Sequence, residues 1–199
     1  MGIKILGGFA RGHALKVPNG TLIRPTSVLL RRRIYDFYQD LDGVIFVDLC
    51  AGTGAVAFEA WSRGASYVFL NEYNKHVSRV LEENIESLIV KHSHKKCGEI
   101  KSTQMSAEKY IDLFKDQYLK FSKEQQEETI IFLDPPYSEI KIYEKVISSL
   151  KEGWFAGQLW VESDPLKGLS IAQIEKLGLH AFKVYEQGDS FIFVTNFPQ

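Results

Sequence analysis

Four short, continuous apolar runs constrain the fold of this chain more than any other feature of its sequence. They occupy residues 44–47, 67–70, 129–133 and 158–161. Strands that are buried on both faces have this pattern, as the strands of a parallel sheet do. Helix-like segments accompany them near residues 54–63, 74–90, 107–121 and 139–151. The alternation predicts an α/β fold with a doubly wound, mostly parallel sheet.

The N-terminal part of the chain departs from this alternation. Short apolar stretches at 3–6 and 14–17 are separated by glycines and predict a hairpin. Pro25 is suited to the first position of a helix, which we expect to run to about Tyr38. The alternation begins only after this helix, at about residue 42.

The C-terminal part departs from it as well. Residues 180–186 and 190–196 are strand-like and predict an antiparallel hairpin at the end of an otherwise parallel sheet. The polar and charged segment 115–128 predicts a helix end followed by a surface loop. Both interpretations leave the four apolar runs as the centre of the sheet.

The length of 199 residues and a 45% share of hydrophobic residues are typical of a globular protein with one domain or at most two. No apolar run approaches the roughly 18 residues of a membrane helix. The first residues do not resemble a secretory leader, and two cysteines fit a reducing compartment. We therefore expect a cytoplasmic protein without a membrane partner. A monomer is the default expectation for its oligomeric state.

Charge is distributed unevenly along the chain. Residues 1–35 contain seven Lys and Arg and no Asp or Glu, whereas residues 36–199 contain 17 basic and 25 acidic side chains. Such asymmetry suggests a basic segment that faces a polyanion. We divide the chain into a basic extension, residues 1–41, and an α/β body, residues 42–199.

A glycine turn follows the first buried run of the body. Asp48 precedes it, and Ala51, Gly52, Thr53 and Gly54 form it just before a helix. Glycines allow a tight turn and a close approach to a ligand, and α/β sheets bind ligands at the carboxyl ends of their strands. We expect these residues to bind a nucleotide-bearing cofactor.

The pattern leaves two cofactors open. Residues 52–57 satisfy the dinucleotide pattern G-x-G-x-x-G/A, and Glu72 stands where an acid that binds a ribose is expected. Both NAD and S-adenosylmethionine carry a ribose. Asp48 favours S-adenosylmethionine, because a carboxylate would repel a pyrophosphate and attract an ammonium group.

A second motif, Asp134-Pro135-Pro136-Tyr137, follows the run at 129–133. The prolines fix the backbone and remove two donors, which leaves the Asp134 carboxylate and the Pro135 carbonyl as acceptors beside the flat face of Tyr137. This set matches the two N–H groups and the ring of a nucleobase that carries an exocyclic amine. The motif indicates methylation of such an amine, in guanine or in adenine.

Together the motifs resemble the RsmD family, the bacterial 16S rRNA guanine-N2 methyltransferases. The matching positions extend over nearly the whole chain: Ile5-Leu6-Gly7-Gly8, Arg11-Gly12, Leu15, Pro18, Arg24-Pro25-Thr26, residues 48–55, Glu59-Ala60, Ser62-Arg63-Gly64-Ala65, Asn84, residues 134–137 and Glu162-Ser163.

The resemblance implies a class I methyltransferase, with a Rossmann-like sheet of seven strands of which the last is antiparallel. It implies S-adenosylmethionine as the methyl donor, no metal, and guanine N2 of 16S rRNA, free or in the assembling small ribosomal subunit, as the acceptor. It also implies that Glu72 binds the ribose, that Ser106 and Ala107 lie by the adenine, and that residues 134–137 hold the target base.

Given this resemblance, the basic extension supplies the candidates for RNA contact. They are Arg11, Arg24, Arg31, Arg32 and Arg33. Helical spacing places the last three on different faces, so we do not expect all of them to meet one ligand. An adenine-N6 methyltransferase of DNA or RNA remains an alternative function, and an NAD-dependent oxidoreductase is the alternative from a different class.

Overall fold

The protein is described from a computed structural model that covers residues 3–18, 27–95 and 97–198. Its strands are β1 (Ile3–Lys4), β2 (Ala14–Leu15), β3 (Ile45–Asp48), β4 (Tyr67–Asn71), β5 (Glu99–Thr103), β6 (Thr129–Leu133), β7 (Gly157–Ser163), β8 (Lys183–Gln187) and β9 (Ser190–Phe197). Its helices are α1 (Val28–Phe37), α2 (Ala55–Ser62), α3 (Lys75–His92), α4 (Ala107–Tyr118), α5 (Lys123–Glu127), α6 (Ile140–Leu150) and α7 (Ile171–Lys176).

Seven strands form one sheet in the order β5-β4-β3-β6-β7-β9-β8. The pairs from β5 to β7 are parallel, and β9 runs antiparallel to both of its neighbours. The predicted fold class is therefore confirmed, including the antiparallel last strand. Strands β4 and β5 are added on one side of β3, whereas β6 and β7 are added on the other side. The strand order therefore switches between β3 and β6, and open α/β sheets bind ligands at such a switch point.

Alternate residues of the central strands explain why both faces of the sheet are apolar. Phe46 and Ile130 belong to one hydrophobic cluster, with α1, α2 and α3, whereas Val47 and Ile131 belong to a second, with α4 and α6. Every residue of β3 and β6 is buried. The continuous apolar runs result from this two-sided coverage.

The predicted N-terminal and C-terminal hairpins are both present. The two strands of the N-terminal hairpin are shorter than the predicted stretches 3–6 and 14–17. β1 and β2 pair antiparallel over two residues each, and β8 pairs with β9. Helix α1 begins at Val28, where the Ser27 hydroxyl caps it by accepting a hydrogen bond from the Leu30 amide at 3.0 Å. Pro25, the expected first residue, lies outside the described residues.

Three elements differ from the expectation. β5 was not predicted, because it is an edge strand whose polar residues are mostly exposed. The segment 115–128 contains the end of α4 and a further short helix, α5, which begins with a capping box formed by Ser122 and Gln125. The six-residue helix α7 was also missed.

The basic extension packs on the body rather than standing apart from it. Ile5, Leu15 and Tyr35 are buried in the same hydrophobic cluster as Phe46 and Trp61. The described residues of the extension, 3–18 and 27–41, therefore contribute to one continuous core with the body. The boundary near residue 41 marks a change of sequence pattern.

Candidate active site

The glycine turn lies at the carboxyl end of β3, in the middle of the sheet. Gly52 and Gly54 have positive φ angles of 55° and 85°, a conformation that favours glycine. A Cβ atom at Gly54 would also overlap the Phe58 ring. Helix α2 begins directly after the turn, so its N-terminus points toward the same space.

Glu72, at the end of the neighbouring strand β4, reaches across to this turn. Its Oε2 accepts a hydrogen bond from the Gly52 amide at 2.9 Å, and its Oε1 accepts one from the Asn74 amide at 2.7 Å. Burial raises the pKa of the Glu72 carboxyl, and the two amide donors oppose that rise. A carboxylate offers about four lone-pair directions, so Glu72 retains capacity for ligand hydroxyls.

Asp48 ends β3 and is buried beneath the turn. Its Oδ1 accepts a hydrogen bond from the Cys50 amide at 3.3 Å. Burial, opposed by the Cys50 bond and assisted by the nearby carboxylates of Glu72 and Glu162, raises the pKa of Asp48 to about 8. A cationic group placed here would reverse this effect, which makes Asp48 a suitable partner for an ammonium group.

Asn71, which precedes Glu72, was not predicted as a site residue. Its Nδ2 donates to the carbonyls of Leu49 and Met105, both at 3.0 Å, and its Oδ1 accepts from the Met105 amide at 3.2 Å. One buried amide thus ties together the loops that follow β3 and β5. A polar residue that ends an apolar run is the only sequence signal that could have indicated it.

The predicted adenine neighbours follow the loop that Asn71 holds. Ser106 is the N-cap residue of α4 without a side-chain capping bond, and Ala107 is the buried first residue of that helix. Their position after β5 places them on the carboxyl-end side of the sheet, next to the β4 end that carries Glu72. Their contact with a ligand stays a prediction.

The turn fits a nucleoside cofactor that carries an amino-acid end. Thr53 Oγ1 is buried and has no hydrogen-bond partner within the described parts of the chain. A buried hydroxyl without a partner is costly, and a polar ligand in the turn would satisfy it. Asp48 and Glu72 add one carboxylate for an ammonium group and one for ribose hydroxyls.

The second motif lies beside the first because β3 and β6 are adjacent and parallel. Asp48 pairs in register with Phe132, so the backbone that leaves β3 at Cys50 runs beside Asp134. Asp134 is partly exposed, Pro135 is buried and Pro136 is exposed. The two motifs, which are far apart in sequence, therefore lie side by side at the carboxyl ends of β3 and β6.

Tyr137 is half-buried, with its hydroxyl directed at the antiparallel part of the sheet. This oxygen lies 3.5 Å from Glu162 Oε1 at the end of β7 and 3.4 Å from Ser190 Oγ at the start of β9. Both distances are long for hydrogen bonds. The two contacts come from different strands, β7 and β9, and together they orient the Tyr137 ring. The Tyr137 ring is thus held next to Asp134 at the edge of the motif.

The five predicted RNA-contact residues have different environments. Arg11, Arg32 and Arg33 are exposed, and Arg33 donates a hydrogen bond to the Glu186 carbonyl. Arg24 lies outside the described residues. Exposed side chains on the extension are accessible to phosphates, and RNA contact by Arg11, Arg32 and Arg33 stays a prediction.

The prediction is wrong for Arg31, whose side chain is only 1% exposed. Its guanidinium donates to the carbonyls of Ala55 at 3.3 Å and Lys4 at 2.9 Å, and its Nε lies 3.9 Å from Glu59 Oε1. Burial lowers the pKa of Arg31, and Glu59 partly offsets this. Arg31 joins the extension to the start of α2 instead of facing solvent.

Glu59 on α2 is the centre of this attachment. Its carboxylate accepts hydrogen bonds from the amides of Leu6 and Gly7 in the hairpin and lies 3.6 Å from Arg63 Nε. Ser62, one turn later, accepts a bond from the Ala10 amide at 2.8 Å and donates to the Gly7 carbonyl at 2.6 Å. The hairpin is therefore anchored on the helix that the glycine turn begins.

A family model described as "Conserved hypothetical protein 95" matches residues 3–194, nearly the whole chain. The chain belongs to this family. Among curated relatives, "Ribosomal RNA small subunit methyltransferase D" of Escherichia coli K12 is 29% identical over 202 residues, covering 94% of this chain and 93% of the relative. The protein of the same name from Haemophilus influenzae is 26% identical over 194 residues, covering 92% and 93%. The resemblance to the RsmD family is confirmed.

Solved structures share the fold of this chain. The chain of yhhF from Escherichia coli, provisionally described as a methyltransferase, has a TM-score of 0.74 at 23% identity and covers 100% of this chain and 99% of its own. SMU.776, described in the same provisional way and solved in complex with SAH, has a TM-score of 0.64 at 15% identity, with coverage of 86% and 50%. At these identities the likeness shows the fold.

No helix in the described parts of the chain is long and apolar enough to span a bilayer. Over residues 3–18, 27–95 and 97–198, no three side chains of His, Cys, Asp or Glu are arranged so that they could hold a metal ion.

Proposed function

We propose that the protein transfers a methyl group from S-adenosylmethionine to an exocyclic base amine, guanine N2 in 16S rRNA. The observation that carries this proposal is the position of two motifs on adjacent strands. The glycine turn after β3 and the Asp-Pro-Pro-Tyr segment after β6 leave the sheet side by side. The printed names of the curated relatives, which are methyltransferases of small-subunit ribosomal RNA, support the same substrate class.

Four groups would hold the cofactor. Asp48 would face its ammonium group, Gly52 and Gly54 would allow the backbone to approach it, and Glu72 would accept hydrogen bonds from the ribose hydroxyls. The hydrogen bonds between a carboxylate and such hydroxyls are worth roughly 1.5–3 kcal/mol each. When bound, S-adenosylmethionine supplies an electrophilic methyl group on a sulfonium.

Asp134, Pro135 and Tyr137 would hold the target base. The Asp134 carboxylate and the Pro135 carbonyl accept the two N–H groups of the amine, and the Tyr137 ring stacks on the base. An amine conjugated to a base is a weak nucleophile, and acceptors for both hydrogens favour the pyramidal nitrogen whose lone pair is free to react. Positioning and electrostatics therefore supply most of the catalysis.

The chemistry requires no strong base in the protein. Methyl transfer would form an N–CH₃ bond on the amine as the S–CH₃ bond of the donor breaks, and would leave S-adenosylhomocysteine and one released proton. The alkylated nitrogen is acidic before this loss, and Asp134 is the acceptor placed to receive its proton. The adenine-N6 alternative uses the same acceptors, since adenine also presents an exocyclic NH₂ beside a ring.

The basic extension would supply the grip on RNA. Arg11, Arg32 and Arg33 are exposed on it, and phosphate contacts position a protein on nucleic acid without reading its sequence. The extension packs against α2, so a duplex or loop held there lies next to the turn from which α2 starts. We assign residues 1–41 to RNA binding in a cytoplasmic, monomeric enzyme.

Transfer of a labelled methyl group to RNA tests the proposal. The purified protein is incubated with labelled S-adenosylmethionine and either deproteinised 16S rRNA or small ribosomal subunits, and the labelled nucleoside is identified. We expect N2-methylguanosine, and comparison of the two substrates shows which form of the RNA is methylated. Label in N6-methyladenosine would establish the alternative amine, and binding of NAD without methyl transfer would overturn the proposal.

A further inference from the structure

A buried amide connects the RNA-binding extension to the cofactor turn. Asn84 lies on α3 and is only 1% exposed. Its Oδ1 accepts a hydrogen bond from the Lys16 amide at 2.8 Å, and its Nδ2 donates to the Lys16 carbonyl and to the Thr53 carbonyl, each at 3.1 Å. The single side chain thus binds the backbone of both segments.

The three contacts fix the orientation of this amide. The Lys16 N–H requires an acceptor, and the two carbonyls require donors, so the oxygen and the nitrogen of Asn84 cannot exchange places. Both amide hydrogens are used. A shift of Thr53 therefore moves Asn84, and with it Lys16.

The two connected segments have different proposed roles, one in RNA binding and the other in cofactor binding. Lys16 directly follows β2, at the point where the hairpin leads toward residues 19–26 and α1. Thr53 stands between Gly52 and Gly54, where the backbone would contact the cofactor. A ligand that orders the turn also orders the exit of the hairpin through Asn84.

The remainder of the hairpin has its own attachment. Phe9 donates its amide hydrogen to the Ser62 carbonyl at 2.8 Å, and Ala10 donates to the Ser62 hydroxyl. Together with the Glu59 contacts to Leu6 and Gly7, these bonds hold the hairpin to α2 without involving Thr53. Loss of Asn84 should therefore remove the direct link between Thr53 and Lys16 while the hairpin remains docked.

From this geometry we infer that Asn84 is a positioning residue that couples cofactor binding to RNA binding. The inference rests on the proposed function and deepens it. Coupling between two sites is reciprocal. If the bound cofactor raises the affinity for RNA by some factor, bound RNA raises the affinity for the cofactor by the same factor. Binding of either partner prepares the site of the other.

A linkage experiment with S-adenosylhomocysteine, which cannot be turned over, measures this factor. Affinity for deproteinised 16S rRNA is determined with and without saturating S-adenosylhomocysteine, and affinity for S-adenosylhomocysteine is determined with and without the RNA. For the unaltered protein we expect both affinities to rise by the same factor, about fivefold or more. For Asn84→Ala we expect a factor near one, with both ligands still bound.

The matched control is Glu83→Gln on the same helix. Glu83 contacts the Lys16 ammonium at 2.7 Å, but both side chains are more than half exposed. This variant removes the charge of an ion pair with the extension without touching the turn, so it should keep the full coupling factor. Asn84→Asp provides a second variant, because it retains the acceptor for the Lys16 amide and loses both donors.

The outcomes separate the inference from the proposed function. Failure of the unaltered protein to bind S-adenosylhomocysteine, or to bind 16S rRNA both in deproteinised form and in small ribosomal subunits, would refute the proposed function itself. Binding of both ligands with independent affinities would overturn only the coupling, as would an unchanged factor in a folded Asn84 variant. If neither Asn84 variant folds in a thermal melt while Glu83→Gln does, Asn84 serves stability and the coupling role is overturned.

Discussion

Arg31 and Glu59 form an ion pair that is closed to solvent, with Arg31 Nε 3.9 Å from Glu59 Oε1 and side-chain exposures of 1% and 0%. One partner lies on α1 of the extension and the other on α2 of the body. The pair is supplemented by hydrogen bonds from Arg31 to two backbone carbonyls and from two hairpin amides to Glu59. These bonds matter because buried charges are costly without them.

Arg31→Ala should therefore destabilise the protein strongly. Removing one partner leaves the Glu59 carboxylate buried without its charge partner on α1, which typically costs about 3–5 kcal/mol. We expect urea unfolding to show this loss in the free energy of unfolding. A loss below about 1 kcal/mol, the usual size for an exposed pair, would contradict the structural role of Arg31.

Substitution of the adjacent residue, Arg32→Ala, should leave stability nearly unchanged and weaken RNA binding. Arg32 is exposed, so its removal should change the free energy of unfolding by no more than about 0.5 kcal/mol. If Arg32 contacts one phosphate, the slope of log affinity for 16S rRNA against log salt should fall by about one. An unchanged slope would remove Arg32 from the RNA-binding surface.

Asp134→Ala should separate catalysis from cofactor binding. The carboxylate contacts the target amine in the proposed complex and belongs to a different strand from the cofactor turn. We expect turnover in the methyl-transfer assay to fall roughly 10²–10³-fold, because a preorganised acceptor is lost. Calorimetry should show S-adenosylhomocysteine affinity within about threefold of the unaltered protein, and near-normal turnover would exclude Asp134 from the mechanism.

Gly54→Ala should abolish cofactor binding through the backbone. Gly54 has φ of 85°, and a Cβ atom there would overlap the Phe58 ring. A left-handed conformation costs a non-glycine residue about 1–2 kcal/mol, to which the steric overlap adds. Thermal melting and calorimetry should show a lower melting temperature and loss of S-adenosylhomocysteine binding. The control is Gly43→Ala. Gly43 has a similar φ of 83°, but a Cβ atom there would meet no atom within 4 Å, so we expect far less effect on binding.

The sequence predicted the elements whose signals are local. β3 and β6 are buried on both faces, so their apolar runs are continuous, and the motifs that follow them are contiguous in sequence. β5 was missed because an edge strand needs few apolar residues, and its Glu99–Thr103 stretch is largely exposed. Tertiary pairing alone defines such a strand.

The residues that assemble the site were harder to predict. Glu59 meets Leu6 and Gly7, which precede it by 53 and 52 residues, and the Asn71 amide reaches Met105, 34 residues away. Neither contact leaves a periodic pattern. Arg31 was assigned to RNA contact with the other arginines of the basic extension. Helical spacing predicted that the three would lie on different faces, but the sequence did not show that Arg31 is the one that faces α2.

Asp48→Asn should stabilise the ligand-free protein and weaken cofactor binding. Burial raises the pKa of Asp48 from its ordinary 3.8 to about 8. Between these pH values the folded protein holds a proton that the unfolded chain releases, so Asp48 makes the folded state less stable as pH rises. Asn removes this titration.

The stability gain should therefore depend on pH. We expect the difference in free energy of unfolding between Asp48→Asn and the unaltered protein to be small near pH 4 and to grow toward pH 8. Since one pKa unit corresponds to about 1.4 kcal/mol, the gain at pH 8 should exceed ~1 kcal/mol. Urea unfolding at several pH values measures it, and a gain that is independent of pH would show that Asp48 is already ionised in the free protein.

Cofactor binding provides the second half of this test. An ammonium group beside Asp48 lowers the pKa of the carboxyl, so binding at pH 7 should release the proton from Asp48. Calorimetry in buffers of different ionisation enthalpy should detect that proton for the unaltered protein, whereas residual binding by Asp48→Asn should lack this contribution. Equal proton release by both proteins would place the ammonium group elsewhere, because the titration would then belong to the ligand or to Glu72.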